Sequence, residues 1–581
     1  MKTDVLGKSW LAGLGLVAAL TAACGGPPPV DPLGADFKET AVQLKLGGSY
    51  PEAPPPGFVP RATFAELRDR LRQLAEEPRA KGLLLELGPM GGGFGQLRDV
   101  QELVRAVAEA GKPVHCRFDV LDNAGYLFAA EVCQRLTMSP AAHLDLVGFA
   151  SQLLFAADLL ESIGVNAEII AIGRYKSAGD VFTERDMPET TRETLSAILD
   201  QLTAELAAAV ESRVGAGKAQ AILDGGPYLS EDALRENLVD AVEYADAAEK
   251  ALKEAAGVDR LSKLKISPEL EQPSLKDFFR ALSGDSKEEP RGRHVAVLGL
   301  SGNILDGDRG DDGSIVSGPV VERLRKLASD EEVVAVVLRI DSPGGSALAS
   351  DLIYHEVRAL AEKKPVIASI SNMAASGGYY IAAGAKEIYA RESSIVGSIG
   401  VIGGKVDLSP LATRLGLRTA TLKRGKNAAY LSPLSPFDDH ERAAVRRMLE
   451  TTYARFVTAV AEGRDLSREQ VLAAAEGRVY LAKAGKELGL VDSLEGFEAA
   501  LARARELAGV DASVPARHYP ERKDFFESLT EAFSPSAAVV SREAVLREVF
   551  PFASEPVLGW LLLLESSSGP YAILPFALDL R

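Results

Sequence analysis

Short apolar runs alternate with stretches of mixed polarity along most of this 581-residue chain, and the same order occurs twice. Continuous runs of Val, Ile and Leu predict strands buried on both faces. Further stretches predict helices over Glu189–Val214 and Asp438–Glu462. The pattern as a whole predicts an α/β fold with mostly parallel sheets and flanking helices. The predicted strands are Ala41–Leu46, Gly82–Leu87 and Pro113–Phe118 in the first half, and Val295–Leu300, Val333–Ile340 and Pro365–Ile370 in the second.

A constant offset relates the two halves of the chain. Pro113 and Pro365 are 252 residues apart, and each lies in the sequence Lys-Pro-Val. The sequence Leu-Val-Asp that ends at Asp240 occurs again, at the same offset, ending at Asp492. Chance would not keep one register over so long a span. The chain is therefore interpreted as a tandem duplication of one domain.

The duplication predicts the domain organisation. The first domain is expected to span residues 37–265 and the second residues 294–509, with a charged, proline-containing linker at residues 266–293. The repeat is expected to end near Gly509, so residues 510–581 have no counterpart in the first copy, and the sequence gives them no role. Their apolar stretch, Pro556–Leu564, is too short to span a bilayer.

Residues 1–23 have the pattern of an export signal. Lys2 and Lys8 precede an apolar run at Trp10–Leu20, and small residues lead to Cys24. This pattern resembles a bacterial lipoprotein signal, which implies cleavage before Cys24, lipid on its thiol and a tether at residues 24–36. An ordinary secretory signal cut nearby is the alternative. Both interpretations place the mature protein outside the cytoplasm, and the first anchors it on the periplasmic side of the inner or outer membrane of the cell envelope.

The remaining cysteines, Cys116 and Cys133, both lie in apolar surroundings. An oxidising compartment would permit a disulfide between them. Free cysteine behaves as a small, readily buried hydrophobe, so two buried thiols are the expected state.

Composition excludes some classes of partner. The chain is 46% hydrophobic and 25% charged, as is typical of globular proteins. Its net charge is −17 and it has no basic stripe, which argues against a nucleic-acid partner. Its six histidines share no triad motif with an aspartate and include no His-Glu-x-x-His signature, so neither a metal nor another cofactor is expected.

Equivalent positions in the two copies carry different polar residues, and the differences are complementary. Lys176 in the first copy falls opposite Ala428, and Ser376 in the second falls opposite Asn123. Ser376 precedes a predicted helix whose first N–H groups could stabilise an oxyanion, although such a serine is more often an N-cap. A lysine can serve as the base if burial lowers its pKa from about 10.4, although most lysines lie on the surface.

These motifs resemble those of the signal peptide peptidase A family in its long, duplicated form. The resemblance covers residues 37–509. Besides Tyr175-Lys-Ser-Ala and Ala375-Ser-Gly-Gly-Tyr, the matching motifs are Asp341-Ser-Pro-Gly-Gly, Val396-Gly-Ser-Ile-Gly-Val and Gly477-Arg-Val-Tyr. The resemblance implies tandem domains of the Clp protease and crotonase fold, with Ser376 as nucleophile and Lys176 as general base.

In short members of that family, one copy carries both the serine and the lysine. Their lysine position falls here on Ala428, so Lys176 is expected to serve Ser376 from the other copy. Lys426 is an alternative base, because a slipped loop would present it. Asn123 and Ala428 would then be remnants of two lost half-sites.

Several further residues are expected around the dyad. The backbone N–H groups of Gly344 or Gly345 and of Gly377 are the predicted oxyanion donors. Ser398 either hydrogen-bonds Lys176 or is simply a turn serine between two strands.

The favoured function is that of an ATP-independent, membrane-tethered serine endopeptidase that degrades cleaved signal peptides or other apolar, unfolded peptides. The resemblance also implies a ring-shaped homo-oligomer, commonly a tetramer. Two alternatives remain open at this point: a catalytically silent scaffold or binding protein with the same fold, and a crotonase-like acyl-CoA enzyme.

Overall fold

Three β-sheets organise the described part of the chain, which in this computed structural model comprises residues 38–54, 61–266, 292–308, 313–520 and 571–573. Both copies belong to one compact unit that begins at Thr40. The predicted signal, the lipidation site at Cys24 and the tether lie outside the described residues, as do most of the linker and most of the tail. No helix within the described ranges is long and apolar enough to cross a membrane.

The first copy contains eight strands and nine helices within its described residues. The strands are β1 (Thr40–Leu46), β2 (Ala80–Leu87), β3 (Val114–Asp122), β4 (Arg135–Asp145), β5 (Asn166–Ile172), β6 (Tyr228–Leu229), β7 (Ala241–Val242) and β8 (Leu261–Leu264). The helices are α1 (Phe64–Glu76), α2 (Phe94–Glu109), α3 (Asn123–Val132), α4 (Ala157–Ile163), α5 (Asp180–Thr183), α6 (Glu189–Val214), α7 (Ala219–Gly225), α8 (Ser230–Arg235) and α9 (Ala245–Ala256).

The described residues from 292 onward add twelve strands and eight helices. The strands are β9 (His294–Ser301), β10 (Ile304–Leu305), β11 (Ile315–Val316), β12 (Val333–Ser342), β13 (Gly344–Ser346), β14 (Val366–Ala375), β15 (Glu387–Ala390), β16 (Ile395–Gly397), β17 (Val401–Asp407), β18 (Val479–Leu481), β19 (Ala516–Tyr519) and β20 (Tyr571–Ile573). The helices are α10 (Ser317–Ser329), α11 (Ala347–Ala361), α12 (Gly377–Ala382), α13 (Ser409–Arg414), α14 (Asp439–Arg464), α15 (Arg468–Ala474), α16 (Ala482–Glu487) and α17 (Phe497–Leu507).

The two large sheets have matching strand orders, which are β6-β4-β3-β2-β1-β8 in the first copy and β18-β16-β14-β12-β9-β19 in the second. All neighbours along these paths are parallel except the short end strands β6 and β18. Every predicted strand is present, and all apolar residues of β12 except Val334 are buried, as the continuous Val, Ile and Leu pattern requires. The prediction of tandem α/β domains with mostly parallel sheets and flanking helices is confirmed.

Local sequence explains where the long helices begin. Asp438 accepts a hydrogen bond from the backbone of Glu441, whose side chain accepts one from the backbone of Asp438; this reciprocal capping box starts α14. Its counterpart α6 begins after Pro188, which occupies the N-cap position. Proline suits a helix start because it has no backbone N–H that would need a partner there. Both helices contain 26 residues, in agreement with the predicted spans.

The structural repeat continues beyond the point where the sequence similarity fades. Strand β8 lies parallel to β1 at the edge of the first sheet, and β19 lies parallel to β9 at the edge of the second. Residues 516–519 therefore have a counterpart in the first copy, and the inference that the repeat ends near Gly509 is corrected.

The third sheet joins the two copies, in the order β11-β10-β13-β20-β17-β5. Strand β5 of the first copy lies antiparallel to β17 of the second, from Asn166 opposite Asp407 to Ile172 opposite Val401. These two strands do not occupy equivalent positions in the repeat. Their pairing therefore breaks the symmetry of the duplication, and it brings the end of β5 to the second copy.

A buried ion cluster also connects the copies. The guanidinium of Arg339 on β12 lies 2.8 Å from a carboxylate oxygen of Asp99 and 3.1 Å from one of Glu52, both in the first copy. Arg391 of the second copy reaches the other oxygen of Asp99 at 2.7 Å. The side chains of Arg339, Asp99 and Glu52 are nearly inaccessible, so these charges depend on each other for solvation.

Replacement of Asp99 by alanine is expected to destabilise the protein by about 3–5 kcal/mol, because it removes one partner of a buried ion pair and leaves Arg339 undercompensated. Urea unfolding would measure this loss. The control is Glu322→Ala, which removes an exposed partner of Lys326 and should leave the free energy of unfolding nearly unchanged. Equal stabilities for the two variants would contradict the importance of the cluster.

Cys116 and Cys133 form a disulfide, so the expectation of two buried thiols is wrong. Helix α3 runs back along β3 and brings the two Cα atoms to 5.7 Å, a separation typical of disulfides. Burial of both residues had favoured thiols in the sequence interpretation, but burial does not exclude a bond when the backbones are this close.

Candidate active site

Ser376 lies where β14 turns into α12. Its backbone N–H donates to the carbonyl of Gly397 at 2.8 Å, which continues the pairing of β14 with β16 by one residue. Its φ is 51° and its ψ −113°, a combination that is sterically costly for a residue with a Cβ. The serine hydroxyl makes no capping bond to α12. Ser376 therefore occupies the N-cap position, but its side chain does not cap the helix, and the interpretation of it as a capping serine is wrong.

Lys176 follows β5 and enters the second copy from the first. Its Nζ lies 2.8 Å from Oγ of Ser376, although the two residues are 200 positions apart in the chain. Only 3% of Lys176 is exposed, and Ser376 is completely buried. Desolvation lowers the pKa of Lys176 well below that of an ordinary lysine. A surface lysine is thereby excluded, and the geometry joins the two residues that the sequence paired.

Ser398 completes a polar triangle with these two residues. Its Oγ lies 2.9 Å from Nζ of Lys176, and its carbonyl oxygen lies 3.1 Å from the same atom. The residue occupies a turn between β16 and β17 with φ of 53°, and its N–H donates to the carbonyl of Arg478 at 2.7 Å. Both interpretations of Ser398 therefore hold, because a turn serine here also contacts the lysine amine.

Two glycines that sequence reasoning did not single out individually pack against Lys176. A Cβ added to Gly477 would lie 2.6 Å from Cβ of the lysine, and one added to Gly400 would lie 3.1 Å from its Cδ. Next to them, the carbonyl of Glu476 accepts the N–H of Tyr175 at 2.6 Å. The family motif that begins at Gly477 was the available signal, but its contact with the lysine required the fold.

The predicted oxyanion glycines lie on two elements that contact each other: Gly377 directly follows Ser376 and begins α12, and β13, which carries Gly344 and Gly345, packs against that helix. Gly344 and Gly345 form most of β13, and the N–H of Gly344 donates to Oγ of Ser342 at 3.2 Å. Gly377 is the first residue of α12, so its N–H belongs to the first turn, where donors lack partners within the helix. Gly344 or Gly345, together with Gly377, therefore remain the candidate donors.

The structure separates the other sequence candidates from Ser376. Lys426 and Ala428 both lie exposed in an irregular segment between α13 and α14. Asn123 begins α3 at the position equivalent to Ser376, but its side chain accepts the N–H groups of Val147 and Gly148 at 3.0 and 3.2 Å. Asn123 therefore has a structural role at the position equivalent to Ser376.

Comparisons with known proteins agree with the duplication. The sequence pattern described as Peptidase family S49 matches residues 106–259 and again residues 358–511. The first match includes Lys176, the second includes Ser376, and the two are separated by the offset found in the sequence.

Three curated relatives align with most of the chain. "Serine protease SPPA, chloroplastic" of Arabidopsis thaliana is 29% identical over 482 residues, which cover 81% of this chain and 70% of that protein. "Protease 4" of Salmonella typhi is 31% identical over 457 residues, covering 76% and 72%. "Protease 4" of Haemophilus influenzae is 28% identical over 451 residues, covering 75% and 72%.

Among solved structures, a point mutant of ClpP1 from Listeria monocytogenes aligns with 36% of this chain and 94% of its own, at 16% identity. The TM-score of 0.23 is too low to support any further conclusion.

Proposed function

Because the chain belongs to peptidase family S49 and is thus a serine peptidase, we propose that it is a membrane-associated endopeptidase that hydrolyses cleaved signal peptides or other apolar, unfolded peptides. Ser376 is its nucleophile and Lys176 its general base. The observation that carries this proposal is the 2.8 Å separation of Nζ and Oγ, with both residues buried and each contributed by a different copy.

Each step of hydrolysis has a group in position. Neutral Lys176 takes the hydroxyl proton of Ser376 as Oγ attacks the peptide carbonyl carbon. The oxyanion that forms accepts hydrogen bonds from the N–H groups of Gly344 or Gly345 and of Gly377, each worth on the order of 3 kcal/mol. The protonated lysine then gives its proton to the leaving amine, which breaks the peptide bond. Water then attacks the acyl-enzyme, with Lys176 again as the base. This step releases the carboxylic acid product and regenerates Ser376.

Ser398 orients the base in this mechanism. Its hydroxyl and carbonyl oxygens fix Nζ from one side, and Oγ of Ser376 lies on another. These contacts restrict the rotation of the long lysine side chain, and the reacting atoms therefore start close together. Burial lowers the pKa of Lys176 and so favours the neutral amine, and the contacts with Ser398 orient that amine.

We further propose that lipid on Cys24 tethers the enzyme on the periplasmic side of the cell envelope, and that it assembles as a homo-oligomer. The first proposal depends on the sequence around Cys24, and the second on the family resemblance. No nucleic-acid partner is proposed, in view of the net charge of −17.

The pH dependence of kcat/KM is expected to follow Lys176. Only the neutral amine accepts the serine proton, so activity should be lost below the lysine pKa and should rise as pH increases through it. Since burial lowers that pKa, the rise should occur well below the ordinary value of about 10.4. Initial rates on an apolar reporter peptide would locate the inflection, with circular dichroism as a control for folding. A rise only near the ordinary value would contradict the assignment.

The direct test of the proposed function is hydrolysis of the same peptide by the wild type and by Ser376→Ala, with products identified by mass spectrometry. The proposal requires internal cleavage by the wild type and its loss in the variant. Equal cleavage by both proteins would exclude Ser376 as nucleophile.

A further inference from the structure

The strand that leads to the nucleophile is irregular shortly before it reaches that residue. The register of β12 and β14 shifts between two pairs, Ile340 opposite Ile370 and Ser342 opposite Ala374. One residue of β12, Asp341, therefore faces three residues of β14, at positions 371–373. Such a β-bulge bends its strand and redirects the residues that follow, and bulges are frequent next to active sites.

The second copy is one residue longer than the first at this place. Six positions separate Ile370 from Ser376, whereas five separate the equivalent residues Phe118 and Asn123. The additional residue thus falls in the segment that contains the bulge. Gly88 follows the residue opposite Phe118, so the first copy has no carboxylate at the position that faces the bulge. The additional residue and the carboxylate occur together, in the copy that has the nucleophile.

The carboxylate of Asp341 holds the bulge. One of its oxygens accepts the backbone N–H of Met373 at 3.2 Å, and the other accepts the side-chain amide of Asn372 at 2.8 Å. Burial raises the pKa of Asp341 to about 6, and the carboxylate of Glu52 contributes to this rise. At neutral pH the group is therefore ionised, and both of its oxygens accept, as the two N–H donors require.

The bulge is also attached to the first copy. Oδ1 of Asn372 accepts the backbone N–H of Gln96 at 3.0 Å, in the first turn of α2. The N-cap residue of that helix is Gly93, which has no side chain for this task, so an asparagine of the other copy caps the helix. A Cβ added to Gly93 would lie 2.5 Å from Cγ of Asn372. The amide is thus held between Asp341 and the first copy.

These contacts lie where two parts of the active site diverge. Strand β14 continues from Met373 to Ser376, whose φ of 51° persists only if the surrounding structure fixes it. Strand β12 ends one residue after Asp341, and β13 with Gly344 and Gly345 follows. The carboxylate therefore fixes the strand that leads to the nucleophile relative to the strand that leads to the predicted oxyanion glycines.

We propose that Asp341 is a positioning residue for hydrolysis: it holds the bulge at positions 371–373 and thereby directs the hydroxyl of Ser376 toward Lys176 and the oxyanion donors. It acts through the backbone of β14 and not on the reacting atoms. The inference rests on the proposed function, because it takes Ser376 to be the nucleophile.

The first experiment uses the full-length chain with Asp341→Asn. Asparagine keeps the shape of the side chain, but its N–H₂ group meets the amide of Asn372, so two donors face each other. We expect kcat for an apolar reporter peptide to fall roughly 30-fold and KM to stay within about twofold, because a misplacement of up to 1 Å can cost 10²-fold in rate. Fluorophosphonate labelling of Ser376 should slow by a similar factor.

The matched control is Asp407→Asn. Asp407 is buried and also accepts one backbone N–H and one asparagine amide, from Ser409 at 2.9 Å and from Asn166 at 3.4 Å. It ends β17, about 20 Å along the strand from Val401 at the end that adjoins the site. This variant should lose stability in urea but keep the wild-type kcat and labelling rate. A wild-type kcat in Asp341→Asn, or equal losses of kcat in both variants, would overturn the inference.

The double variant Asp341→Asn with Asn372→Asp covers the case in which Asp341→Asn does not fold. It exchanges the two side chains. The relocated carboxylate can accept the relocated amide and the N–H of Gln96, and the relocated carbonyl oxygen can accept that of Met373, so every donor has a partner again. Labelling of Ser376 and kcat should return to within about fivefold of the wild type, since coupled neighbours are not additive. A folded double variant that is slower than this contradicts the positioning role.

Labelling separates this inference from the proposed function, because it requires no peptide hydrolysis. A wild type that labelled at Ser376 but cleaved no peptide would refute the proposed function. Slower labelling in Asp341→Asn alone would then still support the positioning role. An active wild type whose kcat and labelling rate were unchanged by Asp341→Asn would refute the positioning role and keep the function.

Discussion

Alanine in place of Lys176 is expected to lower kcat/KM for peptide hydrolysis by about 10⁴-fold, the upper end of what a general base contributes. The loss corresponds to about 5.5 kcal/mol of transition-state stabilisation. The size follows from burial, because water has little access to Nζ or Oγ and cannot readily substitute as base. Steady-state kinetics on an apolar peptide would measure the loss.

The matched control for this variant is Lys426→Ala, which removes the alternative base in the exposed segment and should retain wild-type kcat/KM. A second check uses the double variant Ser376→Ala with Lys176→Ala. Because two groups that act as one unit are not additive, it should be no less active than Ser376→Ala alone. A large loss in Lys426→Ala, or full activity in Lys176→Ala, would contradict the dyad.

Gly477→Ala is expected to lower kcat/KM by about 100-fold, although it leaves both Lys176 and Ser376 in place. The new Cβ would lie 2.6 Å from Cβ of Lys176 and would push the lysine away, and a displacement of about 1 Å can cost this much. Because φ at Gly477 is 78°, alanine also strains the backbone, by roughly 1–2 kcal/mol. Kinetics and thermal unfolding of the same preparation would separate the two effects.

Gly416→Ala is the control for that strain. Gly416 has φ of 77° and nothing within 4 Å of an added Cβ, so alanine there should reduce stability similarly and leave kcat/KM unchanged. If Gly416→Ala lost as much activity as Gly477→Ala, backbone strain and not displacement of the lysine would be responsible.

Much of this architecture could be predicted from sequence, because its signals were local or repeated. Continuous apolar runs predicted the strands of both large sheets, and the constant offset related Lys176 to Ala428 and Ser376 to Asn123. Because each copy has only one of the two dyad residues, the sequence predicted a site shared by both copies.

The remaining features depend on contacts between distant, non-equivalent segments. The offset relates equivalent positions only, so it could not reveal the pairing of β5 with β17 that carries Lys176 to Ser376. Apolar surroundings suggested buried thiols, whereas the return of α3 along β3 joins Cys116 to Cys133. Three residues of an otherwise unassigned tail gave no pattern from which β20 could be predicted.

The duplication explains why both copies are needed. The first copy supplies a lysine from the end of β5, and the second holds that lysine between Gly400 and Gly477. At the equivalent position of the first copy, Asn123 accepts the backbone N–H groups of Val147 and Gly148, so its side chain has a structural role there.

Covalent labelling with a serine-reactive fluorophosphonate reports the nucleophilicity of Ser376 without requiring a known substrate, so it tests activation of this serine by Lys176. We expect rapid labelling of the wild type and Lys426→Ala, labelling at least about 100-fold slower in Lys176→Ala, and none at this site in Ser376→Ala. Labelling of Lys176→Ala at the wild-type rate would contradict this activation.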